Sequence, residues 1–227
     1  MGKVILKAKK ICKSYYNGEN NLNVLNDLSL EVKKNEIITI TGQSGSGKST
    51  LLNILGSLDK PESGEVEIDG LNVLCLNNHD LAKLRNEKIG FVFQFHHLLS
   101  EFTALENVLI PVWIGKYDHK KKKDEAIYLF KELNLGSKIN YFPNQLSGGE
   151  RSRVALLRGI INKPKILLAD EPTGNLDEKN ALALMGLLER INNEFNQAII
   201  LTTHNPGVAK LGHIRYDLKE GILKQLN

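Results

Sequence analysis

Gly42-Gln43-Ser44-Gly45-Ser46-Gly47-Lys48-Ser49-Thr50 satisfies the pattern G-x-x-x-x-G-K-[ST] at every position. Its surroundings give the pattern meaning. A short apolar run, Glu36 to Thr41, reads as a strand feeding the loop, and Lys48 to Leu55 reads as the helix leaving it. Glycines let the backbone wrap closely enough for its N–H groups to face phosphate oxygens, and the helix start adds positive dipole. In this setting Gly42 to Thr50 form a phosphate cradle. Lys48 is expected to reach the β- and γ-phosphates, and the Ser49 hydroxyl to ligate Mg2+.

A second element completes such a site. Ile166-Leu167-Leu168-Ala169-Asp170-Glu171 is an apolar strand ending in two carboxylates. A strand buried on both faces puts its acidic tip at the carboxyl edge of a parallel sheet, where ligands bind. Asp170 is expected to hold Mg2+, and Glu171 to orient or deprotonate the attacking water.

Outward from these two motifs, Val4 to Cys12, Asn23 to Val32, Gly64 to Asp69 and Ile89 to Phe93 read as strands. The lysine run Lys120 to Lys123 opens a helix whose apolar face is Ala126, Leu129, Phe130 and Leu133. The run is either a solvated face or a contact with an anionic membrane surface. A helix is expected from about Glu150 to Asn162, and another over Glu178 to Phe195, with Leu184, Leu187, Leu188 and Ile191 on one face. Ala198 to Thr202 is a strand, and Ile214 to Leu218 with Ile222 to Leu226 reads as a closing hairpin. Strands alternating with helices predict an α/β fold with a parallel sheet.

Composition narrows the class. The 227 residues are 41% hydrophobic and 25% charged, with 30 basic and 26 acidic side chains, too balanced to announce nucleic-acid binding. Cys12 and Cys75 form no framework and fit a reducing, cytosolic setting. Met1 to Lys10 lacks the apolar core of a signal peptide. No stretch reaches the roughly 18 apolar residues that a membrane span needs, so any crossing falls to a partner.

Leu146-Ser147-Gly148-Gly149-Glu150, ahead of the acidic strand end, brings a resemblance to the ABC ATPase family that extends over essentially the whole chain. The resemblance implies a P-loop NTPase fold: a RecA-like parallel-sheet core, an N-terminal antiparallel β subdomain and an α-helical subdomain at about 95–160, all in one domain over 1–227. It implies ATP and Mg2+ as ligands. It also implies a homodimer in which Ser147, Gly148 and Gly149 cap the γ-phosphate held by the opposite subunit. Gln94 matches the loop glutamine that contacts Mg2+ and senses the membrane partner. Asp177, in Asn175-Leu176-Asp177, matches the loop that crosses the dimer interface. His204 matches the switch histidine at the γ-phosphate, and Tyr15, with Tyr16 beside it, the aromatic that stacks on adenine. Glu171, His204, Lys48 and Gln94 thus form the expected catalytic set. Ser152, Leu157, Gly159 and Asn205 depart from the family's usual residues.

Gln94-Phe95-His96-His97-Leu98-Leu99, Thr103 to Val108 and Pro111 resemble the group that holds the lipoprotein-releasing, macrolide-exporter and cell-division ATPases. That implies integral membrane transporter subunits as partners, LolC/LolE-like, and a peripheral place on the cytoplasmic face of the inner (plasma) membrane. Lipoprotein release is the leading role, with macrolide-type efflux and division regulation as alternatives. Soluble ABC proteins of DNA or ribosomes carry coiled-coil insertions or tandem domains. With one phosphate loop and no heptad run, this chain is expected to have no nucleic-acid partner. The apolar stretch Phe95 to Trp113 either receives the partner's cytoplasmic helix or packs the helical lobe. Adjacent His96 and His97 lack the nearby ligands of a metal site.

Overall fold

Two faces of one sheet account for most of the buried apolar residues. A computed structural model describes residues 2–17 and 20–226, without side-chain detail at 17, 20 and 21. The elements are β1 (Val4–Asn17), β2 (Asn20–Lys33), β3 (Ile37–Thr41), α1 (Lys48–Leu55), β4 (Ser63–Ile68), β5 (Leu71–Asn72), α2 (Asn78–Lys88) and β6 (Ile89–Val92). They continue with α3 (Ala104–Ile114), α4 (His119–Glu132), α5 (Gly148–Ile160), β7 (Ile166–Asp170), α6 (Glu178–Phe195), β8 (Ala198–Thr202), α7 (Pro206–Ala209), β9 (Ile214–Lys219) and β10 (Ile222–Leu226).

The larger sheet has the order β10-β9-β3-β8-β7-β6. Its strands β9, β3, β8, β7 and β6 are parallel, with β10 folded back antiparallel on the edge. Successive strand residues point to opposite faces. Ile38, Ile40, Leu168 and Ile200 therefore enter one core with α1 and the smaller sheet. Ile37, Leu167, Ala169, Ile199 and Leu201 enter the other, beneath α3, α4, α5 and α6. Full burial on both faces explains why β7 and β8 read as unbroken apolar runs. The smaller sheet, β2-β1-β4-β5, is antiparallel.

The amphipathic reading of α4 holds: Ala126 and Phe130 are fully buried, while Leu129 and Leu133 pack at the margin. Full burial of a side chain the size of Phe130 contributes roughly 1.5–3 kcal/mol. Asp118 caps α4 by accepting from the Lys121 backbone N–H. Within the lysine run, Lys122 turns inward to Glu125 and the Ile161 carbonyl, so it is not part of a solvated face. On α6, Leu184, Leu188 and Ile191 are buried as read, and Leu187 packs at the edge. Helices α2 and α3 have no counterpart in the reading by periodicity. A buried asparagine, Asn107, anchors α3: its amide donates to the carbonyls of Leu99, Phe102 and Thr103, and its oxygen accepts from the Leu99 N–H.

β6 and α5 approach closely. A Cβ on Gly90 would lie 2.2 Å from the Gly159 carbonyl oxygen, and one on Gly159 would lie 3.0 Å from that of Phe91. Contact this tight accounts for glycine rather than alanine at 159. A Gly90→Ala chain is expected to lose about 1–3 kcal/mol of stability through overpacking. A urea midpoint equal to that of the parent would refute the close-packing account.

Candidate active site

The phosphate loop leaves β3 at Thr41 and enters α1 at Lys48. Gly47 caps α1 in a left-handed conformation, φ 99°, with no side chain on the helix's first N–H groups. Those donors are left for an anion. A Cβ at Gly47 would come within 2.8 Å of Val24, so the position excludes side chains by both conformation and space. The Ser46 Oγ is buried without a hydrogen-bond partner among the described residues. An uncapped helix start, an orphaned hydroxyl and a lysine fit a phosphate chain.

Lys48 is 6% exposed, and its Nζ donates to the Gly42 and Gln43 carbonyls at 2.9 Å each. The same ammonium lies 3.7 Å from Glu171 Oε1, and Glu171 Oε2 lies 2.9 Å from His204 Nδ1. Two residues distant in sequence, Lys48 and His204, thus converge on the Glu171 carboxylate. Glu171 sits just past β7 with φ 42°, a region non-glycine residues seldom occupy. Its N–H is shared between the carbonyl and Oγ1 of Thr202, both at 3.2 Å. Strain held by such contacts is a feature of functional sites. The Thr202 hydroxyl also donates to Asp170 Oδ1 at 2.6 Å, orienting the second carboxylate. Thr202 was not singled out from the sequence. Its signal is a polar residue ending the apolar run Ala198 to Leu201.

Tyr15, Ser44, Gly45, Gly47, Lys48, Ser49, Thr50, Gln94, Glu171 and His204 line one cleft of about 670 Å3, together with Val24. Gly42, Gln43 and Ser46 line the adjoining hollow on the β9–β10 side. Asp170, at the tip of β7, borders the cleft rather than lining it. Tyr16 is 78% exposed and lies outside it, whereas the Tyr15 hydroxyl donates to Asp59 at 2.9 Å beside Lys13. Partial burial alone would raise the Asp59 carboxyl, but hydrogen bonds from Lys13, the Lys60 backbone and Tyr15 outweigh it and hold it low. Ser49, Asp170 and Gln94 supply oxygen donors that could hold Mg2+ alongside phosphate oxygens, which suits an ion that takes few protein ligands.

The signature residues lie elsewhere. Ser147 caps α5, accepting from the Glu150 N–H, while the Glu150 side chain returns to the Ser147 N–H. These bonds hold the Glu150 carboxyl below the usual range. A Cβ on Gly149 would meet Asn180 at 2.3 Å, so the turn packs against the start of α6. Asp177 caps α6 through the Asn180 N–H, and its carboxyl is lowered by that bond. Ser147, Gly148, Gly149 and Asp177 are all absent from the cleft of their own chain.

The loop after Gln94 is tied to α5. His96 and His97 are both left-handed, φ 58° and 47°. The Arg158 guanidinium donates to their two carbonyls at 2.6 Å each. His96 Nε2 lies 2.7 Å from the hydroxyl of the buried Ser152, which donates to the Gly148 carbonyl. Ser152 therefore fits because a histidine reaches it. Burial, then the charges of Arg151, Arg158 and His97, lower the His96 pKa. The His97 ring packs edge-on against Phe93. Neither histidine faces a metal-ligand set among the described residues. An Arg158→Ala chain is expected to lose about 1.5–3 kcal/mol with two charge-assisted bonds. It is also expected to exchange the amides of residues 95–97 faster, and unchanged exchange would remove Arg158 as the clamp.

Known proteins resemble this chain over most of its length. The family model for the ABC transporter matches residues 25–174. The chain is 42% identical over 220 residues to the lipoprotein-releasing system ATP-binding protein LolD of Buchnera aphidicola, covering 97% of this chain and 96% of that one. It is 44% identical over 224 residues to LolD of Shewanella oneidensis, covering 99% and 97%. Among solved structures, a dimeric ATP-binding cassette in a post-hydrolysis state bound to ADP and Pi superposes with a TM-score of 0.89 at 39% identity, covering 98% of this chain and 99% of that one. A dimeric bacterial ABC transporter cassette superposes with a TM-score of 0.90 at 40% identity, with the same coverage.

Proposed function

The chain belongs to the ABC transporter family and is one of its ATP-hydrolysing subunits; from that premise we propose that two copies close head-to-tail around two Mg-ATP molecules and drive separate membrane subunits that release lipoproteins from the inner membrane. The observation that carries the shared site is the separation of Ser147-Gly148-Gly149 from the cleft that holds Lys48 and Glu171. A signature capping its own chain's phosphates would have to lie in that cleft, so a second copy supplies it. Near-full-length likeness to lipoprotein-releasing relatives favours that role over macrolide efflux or division regulation.

In this reading the whole chain is one ATPase unit with a helical lobe at about 95–160. Tyr15 stacks on adenine, while Gly42 to Thr50 hold the phosphates. Lys48 gives up the Gly42 and Gln43 carbonyls for β- and γ-phosphate oxygens. Ser49, Asp170 and Gln94 hold Mg2+, whose charge offsets that of the phosphates. Glu171 takes a proton from the attacking water, oriented by His204 and by the Thr202 bonds to its backbone. Asp177 crosses the dimer interface.

Membrane subunits take the crossing, since among the described residues no helix is long and apolar enough for it. The chain then sits peripherally at the cytoplasmic face of the inner membrane. Their LolC/LolE-like cytoplasmic helix would lie in the groove of about 460 Å3 lined by Leu58, Phe91, Phe93, Pro111 and Ile114. The stretch Phe95 to Trp113 offers both uses left open by sequence: Leu98 packs into the lobe, while Phe95 and Trp113 are 72% and 42% exposed.

The test is affinity capture of the tagged Glu171→Gln chain from detergent-solubilised native membranes in Mg-ATP. A few-span membrane protein with a large extracytoplasmic domain and bound lipoprotein is the expected companion. A drug-efflux or division partner would overturn the lipoprotein assignment and leave the ATPase intact.

A further inference from the structure

The nucleotide cleft uses one end of the larger sheet, the carboxyl ends of β3, β7 and β8. At the opposite end a separate cavity of about 310 Å3 opens between the start of β1, the outer part of α4 and the last turn of α6. Its floor is apolar: Ile5, Ile160 and Ile191 are buried there, and Phe195, half exposed, stands at the rim. Its rim is cationic. Asp69 and Glu125 reach the cavity, but each already meets two ammonium groups. Asp69 pairs with Lys3 at 2.7 Å and Lys88 at 3.0 Å, and Glu125 with Lys163 at 2.7 Å and Lys122 at 3.0 Å. Lys34 and Lys165 complete the rim, and among the described residues their ammonium groups have no ion-pair or hydrogen-bond partner.

An apolar floor under a rim with surplus positive charge selects a ligand with both characters. A bare anion would leave the isoleucines without a partner, and an apolar molecule would leave two ammoniums unanswered. The volume is at the lower end of small-molecule sites, roughly 300–1,000 Å3, and suits one short chain rather than both chains of a two-chain lipid. We propose that this cavity binds a small single-chain anionic amphiphile, its carboxylate or phosphate-monoester head at Lys34 and Lys165 and its apolar chain on Ile5, Ile160, Ile191 and Phe195. The site is bounded by β1 of the smaller sheet, by helices α4 and α6, and by the turn leading into β7. An occupant therefore touches three parts of the molecule at once without approaching the nucleotide cleft.

The experiment titrates the labelled full chain, by amide NMR, with octyl phosphate, octanoate, inorganic phosphate and octyltrimethylammonium. Saturable shifts at Ile5, Ile191 and Gln197 are expected with the octyl anions, and the tighter of the two identifies the head group. Inorganic phosphate and the octyl cation are expected to bind about tenfold or more weakly at these positions. A Lys34→Glu/Lys165→Glu chain is expected to weaken the octyl anions by about tenfold or more, because both exposed charges are reversed. Phe195→Ser is expected to weaken the octyl anions but not inorganic phosphate. Equal binding of the octyl cation, equal binding of inorganic phosphate, shifts confined to Lys48 and Ser49, or undiminished binding by the double variant would each overturn the proposal.

Discussion

A Glu171→Gln chain is expected to retain ATP binding while its turnover falls by about 10^2–10^4-fold, the usual contribution of a general base. The amide is nearly isosteric with the carboxylate, so the Thr202 contacts to the backbone N–H and the left-handed turn can persist. Its oxygen can still bond His204. What disappears is the proton acceptor and the negative charge 3.7 Å from the Lys48 ammonium. Loss of that charge leaves Lys48 freer to meet phosphate and removes a carboxylate that repels it, so affinity does not fall. If hydrolysis opens the dimer, the variant remains closed. Size-exclusion chromatography in Mg-ATP should then show a dimer that reverts to monomer on nucleotide removal, and single-turnover assays should show the slowed step. Parental turnover would remove Glu171 from its role, and a chain that stays monomeric in Mg-ATP would sink the shared-site reading.

A Lys48→Ala chain is expected to lose nucleotide binding, or to turn over about 10^2–10^3-fold more slowly, as when a preorganised electrostatic donor is removed. Lys48 is nearly buried, and its three donors are directed at the loop carbonyls and toward Glu171. Alanine leaves the Gly42 and Gln43 carbonyls without these donors and the Glu171 carboxylate without its nearest cation. A stability loss of about 1–3 kcal/mol is therefore expected alongside the functional one. Thermal unfolding separates the two, because a chain folded at assay temperature yet unable to bind nucleotide isolates the phosphate role. Unchanged turnover would refute the assignment of the loop lysine.

Much of the molecule was readable because its chemistry is local. The span of α1 follows from the glycine loop and the apolar residues behind it. Those of β7, α6 and β8 match their expected bounds because apolar runs and periodic faces end at Asp170, Phe195 and Thr202. α5 starts two residues earlier than expected because Ser147, not a residue further on, supplies the cap. β1 and β2 run longer than their apolar alternation, since pairing across the two strands continues through Ser14, Tyr15 and Tyr16 on β1 and through Leu22 and Asn21 on β2. α2 is nearly all polar on its surface, with only Leu81 and Leu84 buried, so it carries little periodic signal. α3 contains Pro111, which argues against a helix locally. The helix persists because the Asn107 network and the surrounding core fix it from outside.

The sequence by itself singled out the residues proposed to bear the chemistry: the loop Gly42 to Thr50, the acidic pair Asp170 and Glu171, and the cap at Ser147. Each depends on spacings of a few residues, which neighbouring backbone geometry alone can impose. Only the tertiary structure decided that Glu171 meets both Lys48 and His204, that Arg158 holds the His96 and His97 carbonyls, and that the signature lies outside its own cleft. Those relations join residues brought together by parallel strand order and by the packing of α5 on β6. Long-range contacts of that kind leave no periodic trace along the chain.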